Sequence, residues 1–271
     1  MADMKIGIIG AGGRMGAAVI RQVLLSDGCS VHAACDQRGS SVIGQDVGNI
    51  IGVEALGIKI SDNPIEIFES ADAVIEFSSP DATVTNAKLA TTFGCIHVIG
   101  TTGLTVDQEI ALKNASKFIT IVYAPNMSQA VNILFYLTKQ VAAKLDEEFD
   151  IEIIEMHHRN KVDAPSGTAL GLGKAAASGR NIDFKSRAVL SREGQTGERK
   201  KGDIGFSTLR GGDVTGDHKV IFAADGERLE LGHKASSRKI FARGAVRSAL
   251  WAQDKKPGLY TMSDVLGLPI P

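Results

Sequence analysis

The sequence predicts an α/β protein: a parallel sheet with helical crossovers, then a second, α+β part with a mixed sheet. Three observations support this. Short apolar runs alternate with helix-period segments over roughly the first 125 residues, as parallel strands joined by helices require. A glycine cluster, Gly10 to Gly16, falls between the first run and the first helical segment. Beyond a long apolar helix the texture changes to β-runs. A chain of 271 residues suits two modest domains. We expect residues 1–127 with 239–271 as one and residues 128–238 as the other.

Taken in order, strands are expected at Met4–Ile9, Ser30–Asp36, Ala73–Phe77, Ile96–Ile99 and Phe118–Tyr123, and helices at Arg14–Leu25, Asp81–Thr92 and Val106–Ser116. A long apolar helix follows at Ser128–Leu145, then strands at Phe149–His157, Ile204–Leu209, Lys219–Ala224 and Arg228–Gly232. Between these, Ser191–Asp203 is dense in Gly, Lys, Arg and Glu without apolar period, and is expected to be an exposed, mobile loop. The last helix, Lys239–Trp251, has apolar spacing suited to packing back on the first domain.

Composition excludes several function classes. Lys and Arg total 30 against 31 Asp and Glu, so no broad cationic field draws nucleic acid or anionic lipid. Cys29, Cys35 and Cys95 show neither paired spacing nor the density of a secreted disulfide scaffold. They read as reduced thiols of a cytoplasmic protein. The first strand starts too early for a signal peptide, and no apolar run reaches membrane-spanning length. The expectation is a soluble protein without nucleic-acid or membrane partners.

Gly10-Ala11-Gly12-Gly13-Arg14-Met15-Gly16 lies between strand and helix, as a dinucleotide site requires. Glycines let the backbone approach a pyrophosphate, whose charge meets free N–H groups at the helix start. The spacing is Gly-x-x-Gly-x-x-Gly, with Met15 where the strict fingerprint has glycine. A tight turn packing helix on strand would explain the glycines alone equally well. Asp36 tips the balance toward a Rossmann-like site, because it ends the second strand about twenty residues on, where a carboxylate accepts bonds from ribose hydroxyls. A carboxylate there favours NADH, while Arg38 is placed to pair with the 2′-phosphate of NADPH. Gly100-Thr101-Thr102-Gly103 and Ala124-Pro125-Asn126-Met127 leave the carboxyl ends of later strands, where loops rim the ligand crevice. Both are also ordinary turn chemistry.

The densest constellation runs from Glu152 through His157, His158 and Lys161 to Ser166, Gly167 and Thr168. It ends a strand, crosses a loop and opens a helix. Ser166 is a candidate N-cap, so the Gly167 and Thr168 amides would face an anion such as a carboxylate. His157, His158 and Lys161 add proton donors beside it. A metal site is disfavoured, since neighbours in a strand point to opposite faces and no further ligand lies at suitable spacing. A capped strand end with a structural histidine is the plainer alternative; the convergence of several polar donors favours chemistry.

This segment resembles the signature of the 4-hydroxy-tetrahydrodipicolinate reductase (dihydrodipicolinate reductase) family. The likeness runs the whole chain, through Gly10 to Gly16, Gly100 to Gly103, Ala124 to Met127, Ser191 to Arg199 and Gly232-His233-Lys234-Ala235-Ser236-Ser237-Arg238. The resemblance implies that NADH or NADPH gives hydride to a cyclic, unsaturated dicarboxylate with loss of water, yielding tetrahydrodipicolinate for lysine and diaminopimelate. It implies His157 as proton donor or acceptor and Lys161 as proton donor, with His158, Gly167 and Thr168 holding a substrate carboxylate. Gly10, Ala11, Gly12, Gly13, Arg14, Met15, Asp36, Gly100, Thr101, Thr102, Ala124, Pro125, Asn126 and Met127 would hold cofactor. It further implies two domains that close on the ligands and a homotetramer assembled through the substrate-domain sheets. The chain departs from the family pattern at Gln37, where members that use both cofactors often carry arginine; here the arginine is Arg38. A dehydrogenase of another small carboxylate and a dinucleotide-sensing binding module are the competing readings; the second leaves His157 and Lys161 without a task.

Overall fold

The computed structural model describes residues 2–269. In chain order, β1 (Met4–Ile9), α1 (Arg14–Leu24), β2 (Cys29–Cys35) and α2 (Val47–Ile51) are followed by β3 (Ile60–Ser61), α3 (Pro64–Ser70), β4 (Ala73–Glu76) and α4 (Pro80–Phe93). Next come β5 (Ile96–Ile99), α5 (Val106–Ala115), β6 (Thr120–Tyr123) and the connecting helix α6 (Gln129–Ala142). The second part holds β7 (Asp150–His157), α7 (Gly167–Gly179), α8 (Phe184–Arg187), β8 (Ala188–Val189), β9 (Ile204–Arg210), β10 (Gly216–Ala224) and β11 (Glu227–Ala235). The chain ends with α9 (Lys239–Ala252), β12 (Gly258–Tyr260) and α10 (Met262–Val265). Two compact units result: residues up to Gln129 together with those from Arg238 onward, and Ala130–Ser237.

The first unit carries a seven-stranded sheet in the order β12-β6-β5-β4-β1-β2-β3, with every pairing parallel. Six of its strands follow the 3-2-1-4-5-6 order of a doubly wound dinucleotide-binding sheet, with β12 added at one edge. Strand order reverses between β1 and β4, so the loops after these strands part there and leave a crevice. Helix α1 buries Gly16, Val19, Ile20 and Val23, one stripe at helical spacing. Helix α9 returns to this unit and adds Ala242, Ala245, Val246 and Ala249 to the core around β1. There a Cβ on Gly244 would collide with the Met127 carbonyl, so glycine permits the close approach.

The second unit is a five-stranded mixed sheet, β11-β10-β7-β9-β8. β10 pairs antiparallel with both β7 and β11, while β9 runs parallel to β7 and β8. One face packs under α7, where Ile151, Ile153, Phe206, Val220 and Phe222 meet Ala169, Leu172 and Ala176.

Two expectations need correction. The strand expected from Phe118 starts at Thr120, because the Phe118 amide closes a turn onto the Ala115 carbonyl and its ring is exposed. The stretch Ser191–Asp203 is exposed over most of its length and without helix or strand, yet it is tethered rather than loose. Arg192 holds Glu152 through two bonds of 2.8 Å, and Arg199 bonds Glu152, Asp150 and the carbonyls of Ile151 and Asp203. Asp150, Ile151 and Glu152 lie 40 to 49 positions away in sequence, where no local pattern reveals them.

Candidate active site

The first unit presents its sequence-predicted residues at the carboxyl ends of the parallel strands. Gly10 takes φ +77°, a left-handed turn that glycine adopts without steric cost. Gly13 then opens α1 in extended conformation. A Cβ on Gly16 would collide with the Gly10 carbonyl, so the third glycine lets the helix seat against the loop. Asp36 follows β2 directly. Its Oδ2 accepts the Gly12 N–H at 2.7 Å and its Oδ1 accepts the Gln37 N–H at 2.7 Å. A Cβ on Gly12 would stand 2.7 Å from Val42 and 2.9 Å from the Asp36 carboxylate. The loop is therefore a cradle that side chains would fill, and it fits a dinucleotide.

A cleft of about 500 Å³ opens here, lined by Gly10, Asp36, Arg38, Ser78, Ser79 and Asn86 among others. Ser78 and Asn86 are held from beneath by the buried Glu76 carboxylate, at 2.9 and 2.6 Å. Arg38 is almost fully exposed and stands 3.6 Å from Asp62. Gly100 packs on the Phe77 ring, and the Thr101 hydroxyl accepts the Ser78 N–H at 3.0 Å, which ties that loop to the cleft wall. Ala124 follows β6 and bonds the Ile99 carbonyl, while Asn126 Oδ1 accepts the Ser128 N–H. Ala11, Ala124 and Met127 have buried side chains, so their backbones are what they can offer a ligand. Arg14, Thr102 and Pro125 are exposed, and Met15 packs partly into the core.

The second unit gathers its polar groups at the end of β7. Alternation along this strand places Ile151, Ile153, Glu155 and His157 on the buried face. His157 Nδ1 lies 2.6 Å from Glu155 Oε2. Arg210, the partner of His157 in the β7–β9 register, grips Glu155 with both terminal nitrogens at 2.8 and 2.9 Å. The Ser166 N–H gives Glu155 a fourth bond at 2.9 Å. Burial raises the Glu155 pKa, but the hydrogen bonds from His157, Arg210 and Ser166 outweigh it and hold the carboxyl at about 2.

Beyond the strand, the Lys161 N–H bonds the His158 carbonyl in a turn, and the Lys161 ammonium pairs with Asp163 at 2.7 Å. His158 is half-buried. Arg210 also donates to the Asp163 carbonyl at 2.6 Å, which fastens the Lys161 loop to the same arginine. Ser166 caps α7 as expected, its hydroxyl accepting the Ala169 N–H at 3.2 Å. Gly167 at the helix start is exposed and Thr168 half-buried. His218 stands edge-on to the His157 ring at 5.1 Å and lies 3.2 Å from the Ser166 hydroxyl. Burial above all, then the neighbouring His157, pushes its pKa down to about 4. A Cβ on Gly216 would come within 2.9 Å of His157 Nε2, so glycine keeps that nitrogen uncrowded.

Glu155, Arg210, His218 and Gly216 were not singled out from sequence. Glu155 had a signal, a carboxylate on the buried period of a strand two residues before His157. The others come from β9 and β10, and only pairing across the sheet brings them in. Among the described residues, no cluster of three or more His, Cys, Asp or Glu could hold a metal ion, and no helix is long and apolar enough to cross a membrane.

A doubly wound parallel sheet with a glycine cradle, joined in one chain to a mixed sheet bearing a hydrogen-bonded His157–Glu155–Arg210 cluster, is the architecture of a dinucleotide-dependent oxidoreductase. Residues 4–127 match the family profile described as "Dihydrodipicolinate reductase, N-terminus", and residues 130–266 match "Dihydrodipicolinate reductase, C-terminus". The chain belongs to the dihydrodipicolinate reductase family. It is 54% identical over 261 residues to the 4-hydroxy-tetrahydrodipicolinate reductase of Ruegeria pomeroyi, covering 96% of this chain and 97% of the relative. It is 52% identical over 268 residues to that of Agrobacterium fabrum, covering 98% of each. Among solved structures, a dipicolinate-bound dihydrodipicolinate reductase from Paenisporosarcina sp. TG-14 superposes with a TM-score of 0.72 at 22% identity, covering 96% of this chain and 97% of that one. An amine dehydrogenase from Mycobacterium smegmatis shares the fold at a TM-score of 0.61 and 13% identity, over 96% and 95% of the two chains.

Proposed function

We propose that this protein reduces 4-hydroxy-tetrahydrodipicolinate to tetrahydrodipicolinate with loss of water, a step of lysine and diaminopimelate biosynthesis. The balance is substrate plus NAD(P)H plus a proton giving product, NAD(P)⁺ and water. The observation that carries the reading is the convergence at the end of β7 of His157, the Lys161 loop and the capped start of α7, in a chain that matches the family over both parts.

Gly10, Ala11, Gly12, Gly13, Arg14 and Met15 hold the cofactor pyrophosphate, Asp36 the ribose, and Gly100 to Thr102 with Ala124 to Met127 the nicotinamide end. When bound, the reduced nicotinamide supplies hydride to the substrate ring. His158, Gly167 and Thr168 hold a substrate carboxylate at the positive end of α7. Lys161 gives a proton to the reacting ring, and His157 moves a proton at Nε2, the nitrogen turned away from Glu155. NADH serves as donor and NADPH is tolerated, because Asp36 favours a free ribose hydroxyl while Arg38 stands beside the same cleft. The protein acts in the cytoplasm as a homotetramer assembled through the second unit's sheet, whose outer face carries the exposed Leu209 with Ile154, Met156 and Ile221.

The test follows NADH and NADPH oxidation by absorbance, with substrate generated in place from pyruvate and aspartate semialdehyde. Oxidation dependent on both precursors is expected. His157→Gln and Lys161→Ala should each lower turnover by about 10²-fold or more while NADH binding persists. Equal loss of cofactor binding would remove these assignments.

A further inference from the structure

Four donors surround one buried carboxylate in the second unit, and only one of them can change its role. Glu155 is 1% exposed and accepts from His157 Nδ1 and Arg210 Nη1 at Oε2, and from Arg210 Nη2 and the Ser166 N–H at Oε1. An ionised carboxylate offers about four lone-pair sites, and here each is taken. Guanidinium and backbone amide are donors only. Imidazole is the exception, since its nitrogens exchange donor and acceptor roles. The charge on Glu155 therefore dictates that the Nδ1 of His157 carries a proton in every state, leaving Nε2 as the nitrogen that gains and loses one.

We propose that Glu155 is the positioning residue for His157, fixing its ring and its Nδ1–H tautomer so that Nε2 faces the reaction. This rests on the proton-transfer role given to His157 above. Arg210 reinforces it from β9, because its two parallel bonds fix the plane of the carboxylate. Its further bond to the Asp163 carbonyl locks the Lys161 loop to the same frame. The Ser166 N–H extends that frame to the residue that caps α7. Neutralising Arg210 would by itself need only a charge nearby; it would not need the 2.6 Å contact to Nδ1.

Glu155→Gln tests this directly. An amide nitrogen at the Oε1 position would face two obligate donors, whereas at Oε2 it faces Arg210 and an imidazole nitrogen that can turn acceptor. The variant is expected to convert His157 to the Nε2–H tautomer, as a misplaced amide does in other histidine–carboxylate pairs. The full-length protein is labelled with ¹⁵N-histidine and the His157 resonances are assigned by their loss in His157→Gln. The expected result has three parts: exchanged Nδ1 and Nε2 shifts, a kcat 10- to 100-fold lower, and affinities for NADH and for pyridine-2,6-dicarboxylate within about threefold of the parent. An unchanged tautomer overturns the proposal whatever happens to kcat, and so does an exchanged tautomer with parental kcat. Parental turnover in His157→Gln would instead remove the proton-transfer role on which the proposal rests. Should Glu155→Gln not fold, Glu155→Asp is read in its place. It keeps the charge opposite Arg210 but withdraws it from Nδ1 by one methylene, so mixed tautomers and a lowered kcat are expected, and a parental spectrum and kcat would overturn the proposal.

Discussion

At the scale of single residues, Asp36 shows how a loop and a side chain specify one another. Its carboxylate takes the Gly12 N–H on one oxygen and the Gln37 N–H on the other, so its orientation is set before a ligand arrives. A ribose hydroxyl donating to this group gains a charge-assisted bond, whereas a 2′-phosphate in the same place meets a like charge. Asp36→Ala should accordingly weaken NADH binding by about tenfold, on the order of 1.4 kcal/mol, and NADPH binding less. Fluorescence titration with each nucleotide checks this, and an unchanged ratio would mean that Asp36 does not read the ribose.

At the scale of elements, the seating of α1 on β1 depends on how closely two backbones approach. A Cβ at position 16 would meet the Gly10 carbonyl and the Ala11 backbone, neither of which can swing aside as a side chain can. Gly16→Ala must therefore displace the helix whose first amides face the cradle. Overpacking of this kind costs about 1–3 kcal/mol, and the expected outcome is a lower melting temperature together with impaired NADH binding. Gly39→Ala, in open space but at φ +84°, is the control: it should cost stability through backbone strain without touching the α1 contact. The second unit shows the same dependence across strands, since Arg210 on β9 and Gly216 on β10 complete the surroundings of a histidine on β7.

At the scale of the whole molecule, stability responds to pH through groups that the second unit buries. His218 is held neutral, its pKa lowered to about 4, while an unfolded histidine titrates near 6.5. The unfolded chain binds the extra proton first, so this stabilisation is complete above about pH 6.5 and is lost as pH falls toward 4. The difference amounts to on the order of 3 kcal/mol. Glu155, lowered to about 2 from an ordinary 4.5, adds a second loss as pH falls from about 4.5 toward 2. Melting temperatures between pH 7 and pH 4 should fall in the parent and fall less steeply in His218→Gln; parallel curves would assign the acid sensitivity elsewhere.

Local pattern sufficed for much of this molecule. The alternation of short apolar runs with helical segments announced the parallel sheet, and the glycines before α1 marked its cradle, because both follow from neighbours in sequence. The Ser166 cap of α7 was legible for the same reason. The short α3 went unread although Asn63 caps it and Pro64 opens it, since about two turns with Glu66 and Glu69 among the apolar residues carry little period. What only the tertiary structure decided is how the charges are partnered. Arg210 meets Glu155 across 55 positions, and Arg199 tethers an apparently loose loop to Glu152 across 47. Sequence records which residues carry charge, but a buried charge must find its counter-charge through space, and that choice is made by strand register and packing.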